Sequence, residues 1–375
     1  MHSGYVLLSS VLLVLLALSI ITIVPRMPSP QSFFRSPPPR LINSRVPHPS
    51  DASDCIFSDG KWVRDAAAVT AYREDCPFLD PGFQCISNGR SNSSFRYWRW
   101  QPHGCQLPKF NATDMLERSR NGRIVFAGDS IGRNQWESMV CMLAASVPAG
   151  KSRIYEQSGK PISRHKGYLS MVFADYNLSV EYYRAPMLVM IDRFPASSGA
   201  SGERGNYIMV GDRLNMSMDM KEASCRWSVE TVKDWEISST RVPNSYFFFR
   251  SYSPSHYRSK NDSNGTWNTG GSCADHRDPV TSSDQFDEEY SWINAMISNA
   301  IDGIRSHGRR KAHFLNITYM TELRRDGHPS RNRELGTPQD APEDCSHWCL
   351  PGVPDTWNEV LYAHLMSMGY DIRIH

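Results

Sequence analysis

The sequence predicts an α/β domain built on a mainly parallel sheet, with a smaller, disulfide-rich and loop-rich N-terminal subdomain packed on it. Three observations carry this. Strand-like and helix-like patterns alternate from residue 123 to the C-terminus, and strands separated by helices imply a parallel sheet covered on both faces. The apolar run Arg123-Ile124-Val125-Phe126-Ala127 stops abruptly at Gly128-Asp129-Ser130, as a buried strand does at a sharp turn into a helix. Cys55, Cys76, Cys85 and Cys105 fall within a short stretch among aromatics, Gly and Pro, the composition of a stapled, loop-rich module.

The elements follow in order. Residues 1–4 are a short cytosolic tail, and residues 5–24 carry no charge and are dominated by Leu, Val and Ile. Twenty residues at ~1.5 Å each are just long enough to cross ~30 Å of hydrocarbon, which predicts a transmembrane signal anchor. Arg26, Arg35, Arg40 and Arg45 follow the span and by the positive-inside rule argue against a luminal C-terminus. The cysteines and glycosylation sequons argue for one and carry more weight. Residues 25–54 are rich in Pro, Ser and Arg without apolar periodicity and predict an extended stem.

Residues 55–110 form the Cys-rich subdomain, in which Tyr97, Trp98 and Trp100 are either core or a platform for sugar rings, core being the commoner use. Residues 111–375 form the catalytic domain. Helical patterns cover 131–147, 220–235, 285–305 and 355–368, and strand-like runs cover 179–190, 246–250 and 312–318. The net charge of +2 is nearly balanced and the basic residues are scattered, which excludes nucleic acid as a partner.

Nine cysteines and seven N-x-S/T sequons, at Asn92, Asn111, Asn177, Asn215, Asn261, Asn264 and Asn316, point to an oxidising lumen and to disulfides. An odd count leaves one thiol over, and Cys225 is the candidate; Cys345 or Cys349 is expected to pair back to the N-terminal module.

In an open α/β sheet the active site lies at the carboxyl ends of the strands, where Ser130 stands. A helix N-terminus there offers free N–H groups to a developing oxyanion. On Gly-Asp-Ser alone, Ser130 as a simple helix cap is the stronger interpretation. A second motif reverses that preference: Asp344-Cys345-Ser346-His347-Trp348-Cys349 sets a carboxylate and an imidazole three residues apart between two cysteines. A serine needs a base, and the base needs a carboxylate to fix its tautomer. Ser130, His347 and Asp344 fill those roles. Cys345, His347 and Cys349 could instead bind a metal, but disulfides suit a luminal chain better, and no metal is expected.

Taken together, Gly128-Asp129-Ser130 with Arg133-Asn134-Gln135, and Asp344 to Gly352 near the C-terminus, resemble the plant trichome birefringence-like proteins, Golgi polysaccharide O-acetyltransferases related to SGNH/GDSL esterases. The likeness extends from Cys55 to the C-terminus through Arg96-Tyr97-Trp98-Arg99-Trp100, Phe248-Phe249-Arg250, Ser253 to His256, Trp267 to Cys273 and Arg325 to Ser330. It implies a three-layer SGNH-like domain, a type II Golgi anchor with the catalytic domain luminal, and Ser130, His347 and Asp344 as nucleophile, base and orienting carboxylate. Gly128, Asp129, Arg133, Asn134, Arg250, His256, Trp267 and Asn268 are the candidates for oxyanion or substrate contact, with Trp98 and Trp100 beside His256 and Trp267 in an acceptor groove.

The partners implied are a cell-wall polysaccharide such as xylan and an acetyl-donor transporter or carrier protein. The donor, acetyl-CoA or another acetyl carrier, is a co-substrate rather than a bound cofactor. A polysaccharide acetyl esterase is the alternative, since only the acceptor differs. The chain departs from the family in one place: Leu214 runs directly into Asn215, where family members carry a strand ending in an Asn-Thr-Gly-His-Trp-Trp-like stretch. One central strand is therefore expected to be missing, and a catalytically impaired polysaccharide-binding variant is a further alternative.

Overall fold

In the computed structural model, strand β1 (Gly60–Arg64) pairs antiparallel with β2 (Trp98–Pro102), placing Trp62 opposite Trp100. The described residues are 55–65, 70–147, 154–162, 166–185, 191–193, 207–209, 229–234, 236–238, 246–257, 271–280, 291–307 and 311–372. They belong to one compact unit, Asp51–His375. The predicted anchor at 5–24 and stem at 25–54 lie outside them, and no described helix is long and apolar enough to cross a membrane.

Helix α1 (Ala112–Arg118) starts at Asn111, whose side chain accepts from the Asp114 N–H at 3.0 Å. Strand β3 (Arg123–Gly128) then leads through Asp129 into α2 (Ser130–Ala144), the strand-turn-helix unit expected. β4 (Ile154–Glu156), β5 (Tyr168–Phe173) and β6 (Leu178–Arg184) complete a four-stranded sheet in the order β3-β6-β5-β4. Only β3 and β6 are parallel; β5 is antiparallel to β6 and β4 to β5. The sheet is therefore mixed, not mainly parallel. Its three later strands are joined by short links, and a short link returns the chain antiparallel.

Further along, β7 (Ile191–Arg193) and β8 (Tyr207–Met209) form a separate antiparallel pair. β9 (Tyr246–Arg250) and β10 (Lys311–Leu315) pair in parallel, connected through α3 (Ser291–Ser306). Among the described residues no ladder joins β3 to β9. Val125 of β3 is 49% exposed, as an edge residue would be. The Leu214–Asn215 junction, where a strand is expected to be missing, lies outside the described residues.

Helix α5 (Val353–Ser367), following short α4 (Thr318–Glu322), packs against α2. The core between them and the four-stranded sheet includes Trp136, Met139, Val180, Tyr182, Trp348 and Trp357. Four disulfides, Cys55–Cys105, Cys76–Cys141, Cys85–Cys349 and Cys273–Cys345, use eight of the nine cysteines. Cys349 pairs back to the N-terminal module, as expected, and the remaining Cys225 lies outside the described residues.

The N-terminal subdomain is tied to the catalytic domain by Cys76–Cys141 and Cys85–Cys349 and by aromatic burial. Trp62 donates to the Met320 carbonyl at 2.7 Å, and Trp100, 2% exposed, donates to the Phe57 carbonyl at 2.8 Å. Their rings meet edge to face, with centroids 5.6 Å apart. Trp100 is therefore core and not part of an acceptor groove: an indole enclosed on every side has no face left for a sugar.

Candidate active site

The turn between β3 and α2 is built by Asp129. Its carboxylate accepts from the N–H groups of Ile131 (2.9 Å) and Gly132 (3.2 Å), so Asp129 caps the helix and Ser130 does not. The Tyr182 hydroxyl bridges the Gly128 and Asp129 carbonyls, and Gly128 also accepts from Ala185 N at 2.7 Å. Gly128 and Asp129 thus shape the turn. Ser130 is exposed, and among the described residues neither its hydroxyl nor its N–H has a partner. A serine spared from capping, at the first position of a helix, keeps both groups for a reacting acyl carbon.

Asp344 organises the second motif. Its Oδ1 accepts from the backbone N–H of Ser346 and of His347, and its two oxygens hold His347 Nδ1 at 3.1 and 2.9 Å. That fixes His347 with Nδ1 protonated and Nε2 open, the tautomer a general base requires. Burial pushes His347 down, but the hydrogen bond and charge of Asp344, followed by Asp129 and Asp80, raise it above the ordinary imidazole value. Burial pushes Asp344 up, yet the His347 hydrogen bond and charge and the two backbone donors hold it far below the usual carboxylate range.

Two disulfides bracket this segment, at Cys345 and Cys349, so neither sulfur is available to a metal. The cluster of Cys273, Glu343 and Cys345 is closed to a metal in the same way.

Asn134, one turn along α2 from Ser130, joins the two motifs. Its Oδ1 accepts from Trp348 N at 2.8 Å and its Nδ2 donates to Trp348 O at 3.2 Å. Fully buried and with both polar atoms engaged, it is a tie between the Ser130 helix and the His347 loop, not an oxyanion donor as expected. Arg133 is likewise enclosed: Nε donates to Glu137 at 2.7 Å and Nη2 lies 3.5 Å from Asp80, while Nη1 is buried without a partner. Glu137 is fully buried; burial, opposed chiefly by Arg133, pushes it to about 7. Arg133 therefore anchors the N-terminal subdomain to α2, and the expected oxyanion contact gives way to a buried ionic cluster.

The subdomain also contributes residues that sequence reasoning missed. Asp80 donates its N–H to Glu137 at 2.7 Å, and the Phe83 ring lies 5.5 Å from that of His347. The Asp80-Pro81-Gly82 turn was the available signal, since Asx-Pro-Gly marks a built turn. Arg250, at the carboxyl end of β9, lies over Trp357 at 5.4 Å with a buried, unpartnered Nη1; burial lowers its guanidinium and the charge of Asp129 opposes that. The Arg250 guanidinium thus stands within electrostatic reach of Asp129, the residue before Ser130. His256, expected as a substrate contact, is buried instead, with its ring on His328 and Glu322. Trp267 and Asn268 lie outside the described residues.

A helix-borne Gly-Asp-Ser with an Asp-oriented histidine on a late loop is the layout of a GDSL/SGNH-type acyl esterase module. Residues 107–204 and 196–364 match PC-Esterase, the GDSL/SGNH-like acyl-esterase family found in Pmr5 and Cas1p, and residues 53–106 match the PMR5 N-terminal domain. The chain belongs to the trichome birefringence-like family. It is 48% identical to trichome birefringence-like 9 of Arabidopsis thaliana, covering 84% of this chain and 85% of that protein. Trichome birefringence-like 6 of the same plant is 37% identical over 84% and 71% of the two chains. Xylan O-acetyltransferase 7 of Oryza sativa subsp. japonica is 33% identical over 84% and 60%.

Proposed function

We propose that the protein is a polysaccharide O-acetyltransferase that works through an acetyl-serine on Ser130. The observation that carries this is the division of labour at the β3–α2 turn: Asp129 caps the helix, Ser130 is left free, and Asn134 fastens the Asp344–His347 pair to the same helix. In the first half-reaction Ser130 Oγ attacks the carbonyl carbon of an acetyl donor while His347 Nε2 takes the hydroxyl proton. The Ser130 N–H faces the tetrahedral oxyanion, with the Arg250 cation within electrostatic reach of neighbouring Asp129. Collapse expels the donor's leaving group, which recovers the proton from His347. In the second half a sugar hydroxyl gives its proton to His347 and attacks the acetyl-serine, and Ser130 takes the proton back as the ester forms.

The acceptor proposed is a cell-wall polysaccharide, with xylan first because a relative carries that name. The setting proposed is the Golgi lumen, behind an anchor at 5–24; the four disulfides and the seven sequons support it. The experiment is mass spectrometry of the full-length chain after incubation with an activated acetyl ester. An acetyl adduct on Ser130 that vanishes in His347→Ala and passes to a xylan oligosaccharide is the expected result. Release of free acetate from acetylated xylan without an added donor favours the esterase instead. A folded, fully disulfide-bonded chain that forms no adduct favours an impaired, binding-only protein.

A further inference from the structure

Behind His347 lies a row of buried groups with no part in the steps above. His328 Nδ1 sits 2.6 Å from the His347 carbonyl, its Nε2 is 2.6 Å from His256 Nδ1, and His256 Nε2 is 3.3 Å from Glu322 Oε2. His328 is 2% exposed, and its ring lies on Trp348 with centroids 4.0 Å apart. His256 is fixed in turn by its own N–H, which donates to Cys345 O at 2.9 Å.

The hydrogen-bond inventory determines where the protons are. A carbonyl only accepts, so His328 Nδ1 carries a hydrogen. Burial, then the facing His256, hold His328 in its neutral form, so its Nε2 is a lone pair and His256 Nδ1 must donate. Burial pushes Glu322 up, but hydrogen bonds and charge from His256 and Arg325 outweigh it and keep the carboxylate ionised. An ionised carboxylate accepts, and His256 Nε2 faces it at 3.3 Å. Around the row stand Arg325, on Glu322 at 2.9 Å; His276, lowered by burial and then by Arg325 and His256; Arg90, on the His328 carbonyl; Asp326; and the Asp344–His347 pair.

The target of the row is one peptide unit. The bond joining His347 to Trp348 has its C=O held by His328 and its N–H held by Asn134. One clamp comes from the nucleophile's helix and the other from the opposite side. With that plane fixed at both ends, and Asp344 fixing the ring, the imidazole has no soft torsion left on its backbone side.

We infer that His328, lodged between the His347 carbonyl and the His256 ring with its Nδ1–H on that carbonyl, is a positioning residue that clamps the His347–Trp348 peptide and so aims the imidazole at Ser130. This rests on the proposed serine chemistry, and the test separates the two. His328→Asn keeps an amide donor near the Nδ1 position, whereas His328→Leu removes the donor with similar bulk. The first readout is the rate at which a serine-directed phosphonate labels Ser130. The second is the titration of His347, followed by NMR of the ¹⁵N-histidine-labelled full-length chain.

His328→Leu is expected to slow labelling roughly 10- to 100-fold and to move the His347 midpoint toward the ordinary imidazole value, as its bond to Asp344 slackens. His328→Asn should restore both. An unshifted His347 midpoint in His328→Leu, or His328→Asn no better than His328→Leu, overturns the inference. A midpoint that moves as expected in a chain whose Ser130 is never labelled leaves the clamp standing and removes the acyl-serine proposal instead.

Discussion

Replacing Cys273 and Cys345 together by serine separates what the Cys273–Cys345 bond does for stability from what it does for geometry. The bond joins residues 72 apart, and closing a loop of that length removes about 4 kcal/mol of chain entropy from the unfolded state. Against a typical total of about 5–15 kcal/mol, that is a large share. Losing it should lower the melting temperature by roughly 10 °C in a domain of this size.

The local geometry has other supports. Ser330 and Asp344 exchange two backbone hydrogen bonds of 2.9 and 3.0 Å, His256 N holds Cys345 O at 2.9 Å, and Cys85–Cys349 remains. Phosphonate labelling of Ser130 in the folded variant should therefore stay within about threefold of wild type, a difference of less than ~1 kcal/mol in the barrier. Thermal unfolding by circular dichroism and labelling followed by mass spectrometry are the two assays. A melting temperature lowered by less than about 2 °C, or labelling lost more than about tenfold with the melting temperature unchanged, would refute the reasoning. The second outcome would mean that the disulfide, and not the hydrogen bonds, aims Asp344.

Three further outcomes follow. Asn134→Ala leaves Trp348 N–H and C=O buried without partners, which should cost about 2–4 kcal/mol and slow Ser130 labelling more than His328→Asn does; a variant as reactive as wild type would show that the tie is dispensable. Trp100→Ala should cost about 3–5 kcal/mol through a core cavity, leaving xylan-oligosaccharide affinity of the folded fraction unchanged; weakened binding at full stability would put the indole back in a groove. The third concerns pH. Glu137 is raised from 4.5 to about 7 and Asp355, half-buried, from 3.8 to about 6, in each case mainly by burial. Folded values above unfolded ones mean stability that is fully present below about pH 4 and is lost as pH rises through 6–7. Asp344 is shifted the other way and loses its contribution on acidification. Melting temperature should therefore peak in mildly acidic solution and fall by pH 8, and Glu137→Gln should flatten the alkaline limb by up to about 3 kcal/mol; an unchanged limb would remove Glu137 as its cause.

Much of this site was legible in one dimension because its chemistry is local. Asp344, Ser346 and His347 are close enough in sequence for one carboxylate to bind two backbone N–H groups and an imidazole, and Gly128-Asp129-Ser130 marks the strand-to-helix turn with the residues that build it. The helices α2 and α5 were placed within a few residues because their boundaries are set by an Asp cap and by Gly352-Val353-Pro354. Arg133, Asn134 and His256 were misassigned for one reason. Each is a polar residue of a shared motif, and motif membership does not say whether a side chain faces substrate or its own interior. The mixed sheet was missed because the links between β4, β5 and β6 are too short for a crossover helix, and a short link leaves no periodicity to mark the return.

What the sequence determined by itself were contacts made within a few residues, and the disulfide-bonded character to which nine cysteines point. Tertiary structure alone decided which cysteines meet, across separations of 50 to 264 residues. It also decided that Asp80 and Phe83 of the N-terminal subdomain stand at the site, and that the His347–Trp348 peptide is gripped from two sides by Asn134 and His328. The physical reason is common to all of these. A buried donor must find an acceptor, but partners 214 residues apart along the chain, as Asn134 and Trp348 are, are chosen by how the elements pack and leave no periodicity in the sequence.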